Sequence, residues 1–410
     1  MEFKRKNKIN ELLSKKGNGK VKIVTGIRQC GKSYLLNVLF KKELVLEQRI
    51  KETDILIFDL IKKDFDIRDS DTLENRITKA IGNSTKYIFI DEVQKAGSGF
   101  EDAIVRLMLK YPNIDFYVTG SNSKLLSSDV VRVFVEYGDE ISLASLTYNE
   151  IIEMIPEYSF QDYMIYGGLP CVINQPTEEL KLKELERLYN QIYYKDIIDR
   201  VSPRYLSTIH MDTILKNIFS TSTAFSFKEV TSKLFKGFNS PNAVKEQMAA
   251  EIGDFLECAI DSFLLKKMEV LDFDINGLPS PHQNNRFKFY CVDNGLMFFK
   301  SNRIHLESTV FENSIFLEIM AKGISPNCIS VHEGNNEYNE IDFYYSSNQQ
   351  ANLIQVCHTI KSNNYEREIL KLKDFPIESN KIVVYRNDLS LKPKIETINY
   401  YTVEDFVKTL

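Results

Sequence analysis

Residues 26–33 read GIRQCGKS: Gly26, four residues, then Gly31, Lys32 and Ser33. An apolar run, Val21 to Val24, leads in, and a helix-forming stretch, Tyr34 to Phe40, leads out. Strand, glycine-rich loop and helix in that order are the context a phosphate-binding P-loop requires. Gly26 and Gly31 let the backbone of Ile27, Arg28, Gln29 and Cys30 turn tightly, so that consecutive N–H groups face one anion. The helix that begins near Lys32 and Tyr34 turns the positive end of its dipole toward the same charge. Lys32 is then the cation for the β- and γ-phosphates, and the Ser33 hydroxyl is a ligand for Mg²⁺. The competing reading, a glycine-rich turn with an incidental lysine, does not account for the flanks.

Working outward, Ile55 to Leu60 (ILIFDL) reads as a second buried strand, and Thr72 to Ile81 has helical spacing. Tyr87 to Ile90 (YIFI) runs straight into Asp91 and Glu92. An apolar strand ending in two acids is the Walker B pattern: Asp91 holds Mg²⁺, and Glu92 polarises the attacking water. A solvated loop acid is the alternative for Glu92. After the helix Phe100 to Lys110, a further strand, Ile114 to Thr119, ends in Gly120, Ser121 and Asn122. A polar residue there, Ser121 or Asn122, is placed to touch the γ-phosphate or the water; an N-cap for the next turn is the equal alternative. Strands alternating with helices predict a parallel sheet covered on both faces.

Bulk composition sets limits. The 410 residues allow two to four domains at about 150 residues each. With 43% hydrophobic and 27% charged residues, each domain can bury an ordinary core. A net charge of −5 argues against a constitutive nucleic-acid coat. The six cysteines form no CxxC pair, and the five histidines no HExxH, so neither disulfides nor a zinc site is expected. The start, MEFKRKNKINELL, is charged, and no run of 18 apolar residues occurs, so the expectation is a cytoplasmic protein with no membrane partner.

GIRQCGKSYLL, YIFIDEVQKAG, YVTGSNSKLLSS and SLTYNEI, in that order, resemble the prokaryotic AAA-type P-loop ATPases that carry a C-terminal DUF4143 domain, a group similar to archaeal, STAND and origin-recognition ATPases. The resemblance implies ATP as the nucleotide, an ATPase core at 1–150, a helical lid at 151–202, a winged helix at 203–282 and, at 283–410, a domain similar to PD-(D/E)XK nucleases. It also implies that YGGLP places Gly168 and Pro170 near the base. A helix stop, with Gly then Pro, explains the same letters. One departure stands out: where the family shows Gly-Arg ahead of the SLTYNEI segment, this chain has VFVEYGDEISL, and the nearest arginine is Arg132.

In the middle region, helices at Tyr205 to Ser220, Phe227 to Leu234 and Ala243 to Cys258 precede a strand, Leu264 to Leu271, and a turn near Asn276 and Gly277. This winged-helix pattern makes DNA a candidate partner. The third helix, however, carries Glu246, Glu251, Asp254 and Glu257, which repel phosphate and favour protein packing. At the end of the chain, Asp342 on one strand and Glu312 on a helix supply acids of a nuclease-like site. The next strand offers Gln355 and Cys357 where an acid and a lysine are needed, and Lys361 lies four residues beyond. The expectation is an α/β chain whose only chemistry is at Gly26–Ser33: a slow, Mg²⁺-dependent ATPase acting as a switch. An ATP-gated DNA nuclease and an ATP-binding scaffold without turnover remain open, as do the protein partner and the oligomeric state.

Overall fold

Val21–Thr25 (β1), Tyr87–Asp91 (β3) and Asp115–Thr119 (β4) are apolar almost throughout, and they lie in the interior of one sheet. Ile55–Asp59 (β2) and Gly138–Ser142 (β5) are only partly buried and form its edges. The computed structural model describes residues 3–120, 134, 136–201, 203–221, 223–226, 229–230, 232, 242–273, 279–281, 286–301, 307–333, 337–347, 350–360, 365–375, 377–387 and 395–410. The chain divides into two compact units, Met1–Leu146 with Asp261–Phe263, and Thr147–Ile260 with Leu264–Leu410. Among the described residues, no helix is long and apolar enough to cross a membrane.

In the first unit the strand order is β2-β3-β4-β1-β5, and every pairing is parallel. Parallel strands need helical crossovers that cover both faces, so the inner strands are buried on both sides and lose their alternation. The helix Phe100–Lys110 packs one such face with Phe100, Ala103, Ile104, Leu107 and Met108, spaced three and four apart. Burying each of the large side chains contributes about 1.5–3 kcal/mol. The helix Ser70–Ala80 starts where the Asp69 carboxylate accepts the Thr72 N–H at 2.7 Å. The carboxyl ends of β1, β3 and β4 therefore share one edge of the sheet, the edge on which open parallel sheets bind ligands.

The second unit holds Leu265–Phe273 (β6), Pro279–Pro281 (β7), Phe287–Cys291 (β8), Asn327–Glu333 (β9), Glu337–Ser347 (β10), Gln350–Thr359 (β11), Ser379–Asn387 (β12) and Asn399–Thr402 (β13). Their order is β13-β12-β11-β10-β9-β6-β7, with β8 also paired to β6. β9, β10 and β11 are antiparallel neighbours, whereas β11–β12 and β12–β13 are parallel. The strand expected as a wing, β6, is thus part of a larger sheet: it pairs with β7, β8 and β9. Glu312 lies on a helix, Glu307–Ala321, and Asp342 on a strand, β10, as expected. Within 151–202, the helix Glu178–Asn190 continues as a π-helical Gln191–Ile197 and a 3₁₀ turn Ile198–Arg200. Most of the helix expected at Phe227 to Leu234, and the turn near Asn276, lie outside the described residues.

Candidate nucleotide site

The loop after β1 turns as its glycines predict. Gly26 has φ +142°, and a Cβ there would lie 2.1 Å from the Leu143 carbonyl oxygen. Gly31 has φ +102°, and Gln29, exposed at the tip, φ +61°. Ile27 and Cys30 are buried, Arg28 is half-buried, and Tyr34 is exposed. Helix follows without a break through Lys32–Tyr34, a π-helical Leu35–Phe40 and Lys41–Leu46. The Lys32 ammonium is buried and donates to the Gly26 carbonyl at 2.8 Å and the Ile27 carbonyl at 3.0 Å. A cation is therefore held inside the loop by the loop's own backbone.

Ser33 and Asp91, far apart in sequence, meet here: the Ser33 hydroxyl donates to Asp91 Oδ1 at 2.8 Å. The Thr119 hydroxyl, at the end of β4, donates to the same oxygen. Thr119 in turn accepts the Glu92 N–H at 3.0 Å. Burial pushes the Asp91 carboxyl above its ordinary value; the Thr119 and Ser33 hydrogen bonds pull it back, and the charges of Glu92 and Asp59 add to the rise. Glu92 has φ +55°, a left-handed conformation that a non-glycine residue adopts at some cost. Its carboxylate accepts Gln94 Nε2 at 2.5 Å, while Gln94 Oε1 is buried without a hydrogen-bond partner.

Hydroxyl and carboxylate oxygens side by side are hard donors that suit Mg²⁺. Among the described residues, no group of three His, Cys, Asp or Glu is arranged to hold a metal. The Ser33 hydroxyl and the Asp91 carboxylate, as two hard oxygen donors, suit an ion that also takes ligands from phosphate and water, as Mg²⁺ does. Thr119 was not singled out from the sequence, although it is the last residue of an apolar strand, as Asp91 is. Asn122, Ser121 and Arg132 lie outside the described residues.

Arg5 also went unread, within the run KRKNK. It is buried, with φ +47°, and its guanidinium donates to the carbonyls of Cys30 (3.2 Å), Ala144 (2.8 Å) and Ser145 (3.3 Å).

Gly168 and Pro170 lie in the second unit. The Gly168 N–H donates to Asp293 Oδ2 at 2.8 Å, and Pro170 is the first residue of the short helix Pro170–Ile173. Asp293 also caps the helix Asn294–Lys300 by accepting the Leu296 N–H at 3.1 Å. The helix stop expected from YGGLP is present, and Gly167, at φ +71°, packs against the segment DNGL.

The C-terminal acids converge on a residue that sequence reading passed over. Lys288 on β8, only 3% exposed, has its ammonium 3.2 Å from Glu312, 3.3 Å from Glu340 and 3.5 Å from Asp342. The Tyr290 hydroxyl donates to Glu312 at 2.7 Å. A bulge in β10 between Ile341 and Tyr344 re-aims Asp342, whose Oδ2 accepts the Val356 N–H and Gln355 Nε2, both at 2.8 Å. Gln355 donates equally to Glu368. Burial, opposed by Lys288, pushes the Glu312 carboxyl up to about 7. Cys357 packs into the apolar core, and Lys361 lies outside the described residues.

Comparison with known proteins matches residues 18–152 to the family described as AAA domain. An uncharacterized protein of Haemophilus influenzae is 25% identical over 387 residues, covering 90% of each chain. An uncharacterized protein of Methanocaldococcus jannaschii is 24% identical over 394 residues, covering 90% of this chain and 83% of that one. Among solved structures, Cdc6p from Pyrobaculum aerophilum aligns with a TM-score of 0.30 at 11% identity, covering 76% of this chain and 94% of the other. The Thermotoga maritima RuvB Holliday junction branch migration motor aligns with a TM-score of 0.27 at 16% identity, covering 68% and 91%.

Proposed function

We propose that this chain binds ATP with Mg²⁺ at Gly26–Ser33, hydrolyses it slowly, and uses the nucleotide state as a switch. The observation that carries the reading is the 2.8 Å hydrogen bond from Ser33 to Asp91, which joins the P-loop to the end of β3. The match of residues 18–152 to an AAA domain supports it. Lys32 leaves its two carbonyl partners to neutralise the β- and γ-phosphates. Ser33 and Asp91 would hold Mg²⁺, which would supply positive charge to offset that of the phosphates. Glu92, oriented by Gln94 and by its own N–H bond to Thr119, takes the proton of the attacking water. Asn122 would add a contact to the γ-phosphate or to that water. The slow rate follows from VFVEYGDEISL, which lacks the arginine of the resembling family; such an arginine is worth about 10³–10⁵ in rate.

Phosphate release by the wild type and by Lys32→Ala, with and without duplex DNA, tests the reading. Mg²⁺-dependent release that Lys32→Ala lacks is expected. Equal background release by the two proteins rejects turnover, and ATP binding without release leaves a scaffold. The acids along Asn242–Asp261 disfavour DNA contact there. Glu251 on that helix is engaged in accepting the backbone N–H groups of Arg204, Tyr205 and Leu206. The run Glu307–Ala321, β9, β10, β11, the helical 366–374 and β12 supports a nuclease-like fold for the end of the chain. Gln355, neutral, and Lys288, already among the acids, argue against nuclease chemistry in it.

A further inference from the structure

We infer that Arg5 is a positioning residue for phosphate binding, acting through the Cys30–Gly31 peptide; this rests on the nucleotide-binding reading above. A trans peptide points its carbonyl and its N–H in opposite directions. The Arg5 guanidinium holds the Cys30 carbonyl at 3.2 Å from one side. The Gly31 N–H is thereby turned to the other side, into the loop, where a phosphate oxygen accepts it. No cis peptide interrupts this geometry.

The same guanidinium anchors the arrangement from behind. It donates to the carbonyls of Ala144 and Ser145, on the segment that leaves β5. That segment also meets the start of the loop, because the Leu143 carbonyl is the atom a Cβ on Gly26 would strike. Residues 143–145 therefore back the loop at Gly26 directly and at Cys30 through Arg5. The planar fork of an arginine can serve three carbonyls at once, which a lysine ammonium on a flexible stem does less rigidly. Arg5 reaches this place because residue 5 itself turns left-handed and its carbonyl accepts the Lys8 and Ile9 N–H groups, both at 3.0 Å, at the start of the helix Lys6–Ser14. Its burial is what separates it from a solvated basic side chain.

The test is a titration of the full chain with a fluorescent ATP analogue, alongside circular dichroism, for wild type, Arg5→Lys and Arg5→Ala. Arg5→Ala is expected to bind about tenfold or more weaker at a temperature where it is fully folded, a loss equal to at least ~1.4 kcal/mol. Arg5→Lys should recover part of that loss, and added methylguanidinium should tighten binding to Arg5→Ala while leaving the wild type unchanged. Wild-type affinity in folded Arg5→Ala overturns the inference. So does a loss that merely follows the unfolded fraction and that methylguanidinium does not repair. A wild type that binds no ATP overturns the nucleotide reading itself, and is recognised because no variant is needed to see it.

Discussion

The backbone N–H of Gly168 donates to the carboxylate of Asp293 at 2.8 Å across 125 residues of sequence. The preceding residue has no room to spare. A Cβ on Gly167 would lie 2.3 Å from Asp293 Oδ1 and 2.5 Å from the Gly295 nitrogen, at φ +71°. Gly167→Ala is expected to destabilise the second unit by about 2–4 kcal/mol, from left-handed strain together with overpacking. Denaturant unfolding followed by circular dichroism checks this, and a midpoint within error of the wild type would refute it.

At the proposed nucleotide site, Glu92→Gln keeps the shape of the side chain and removes the proposed base. ATP affinity should stay within about twofold, while turnover falls by about 10²-fold or more. Asp91→Asn should weaken the Mg²⁺ dependence of binding as well, because it removes the anion that faces Ser33. Single-turnover assays at several Mg²⁺ concentrations separate the two variants.

At the opposite end of β1, Lys22 is fully buried and paired with Asp115 on β4. Asp115 also accepts the Tyr117 hydroxyl and the Gly17 N–H, each at 2.9 Å. Asp115→Ala leaves a buried ammonium without its anion and should cost about 3–5 kcal/mol. Lys22→Met together with Asp115→Ala should cost less than Asp115→Ala alone, a comparison available from one set of urea curves.

Glu318 gives the second unit a pH dependence. It is buried, accepts the Tyr148 N–H at 2.7 Å, and burial pushes its carboxyl up to about 8 from an ordinary 4.5. Between those values the folded chain keeps a proton that the unfolded chain releases. The contribution is therefore complete below pH 4.5 and lost as pH rises through 8. The slope from this one group is at most about 1.4 kcal/mol per pH unit. Glu318→Gln should flatten stability across that window, as read from thermal melts at a series of pH values.

Lys288 stands among three carboxylates, so Lys288→Met should destabilise by about 3–5 kcal/mol, and restoring charge balance with Glu312→Gln should recover part of it. Duplex DNA incubated with the wild type and Mg²⁺ or Mn²⁺ should stay intact on a gel.

The inner strands were legible because a strand buried on both faces is rich in apolar residues, as β1, β3 and β4 are apart from the Lys22–Asp115 pair and the polar residues that end them. Glycine spacing gave the loop, since only its φ values permit the turn. Lysine and arginine inside the core were not legible. Arg5 shares a charged run with Lys4 and Lys6, and it is held by the carbonyls of Cys30, Ala144 and Ser145, none of them near it in sequence. Lys288 reads as an outward residue of an alternating strand, yet partners on two other elements draw it inward. Thr119 has no letter pattern of its own; it matters because β4 lies between β3 and β1. The π-helical turn after Asn190 leaves no mark on apolar spacing read at 3.6 residues per turn.

The strand order has a consequence for synthesis. β1 is made first but lies between β4 and β5, which are made last. At roughly 5–20 residues per second, a nascent chain carries Gly26–Ser33 for some seconds before Ser142 exists to close the sheet beside it. During that interval β1 offers an apolar strand with unpaired edges, the kind of surface that draws chaperones or a neighbouring nascent chain. The proposed phosphate-binding loop gains the backing of residues 143–145 only after the last strand of its sheet has been made.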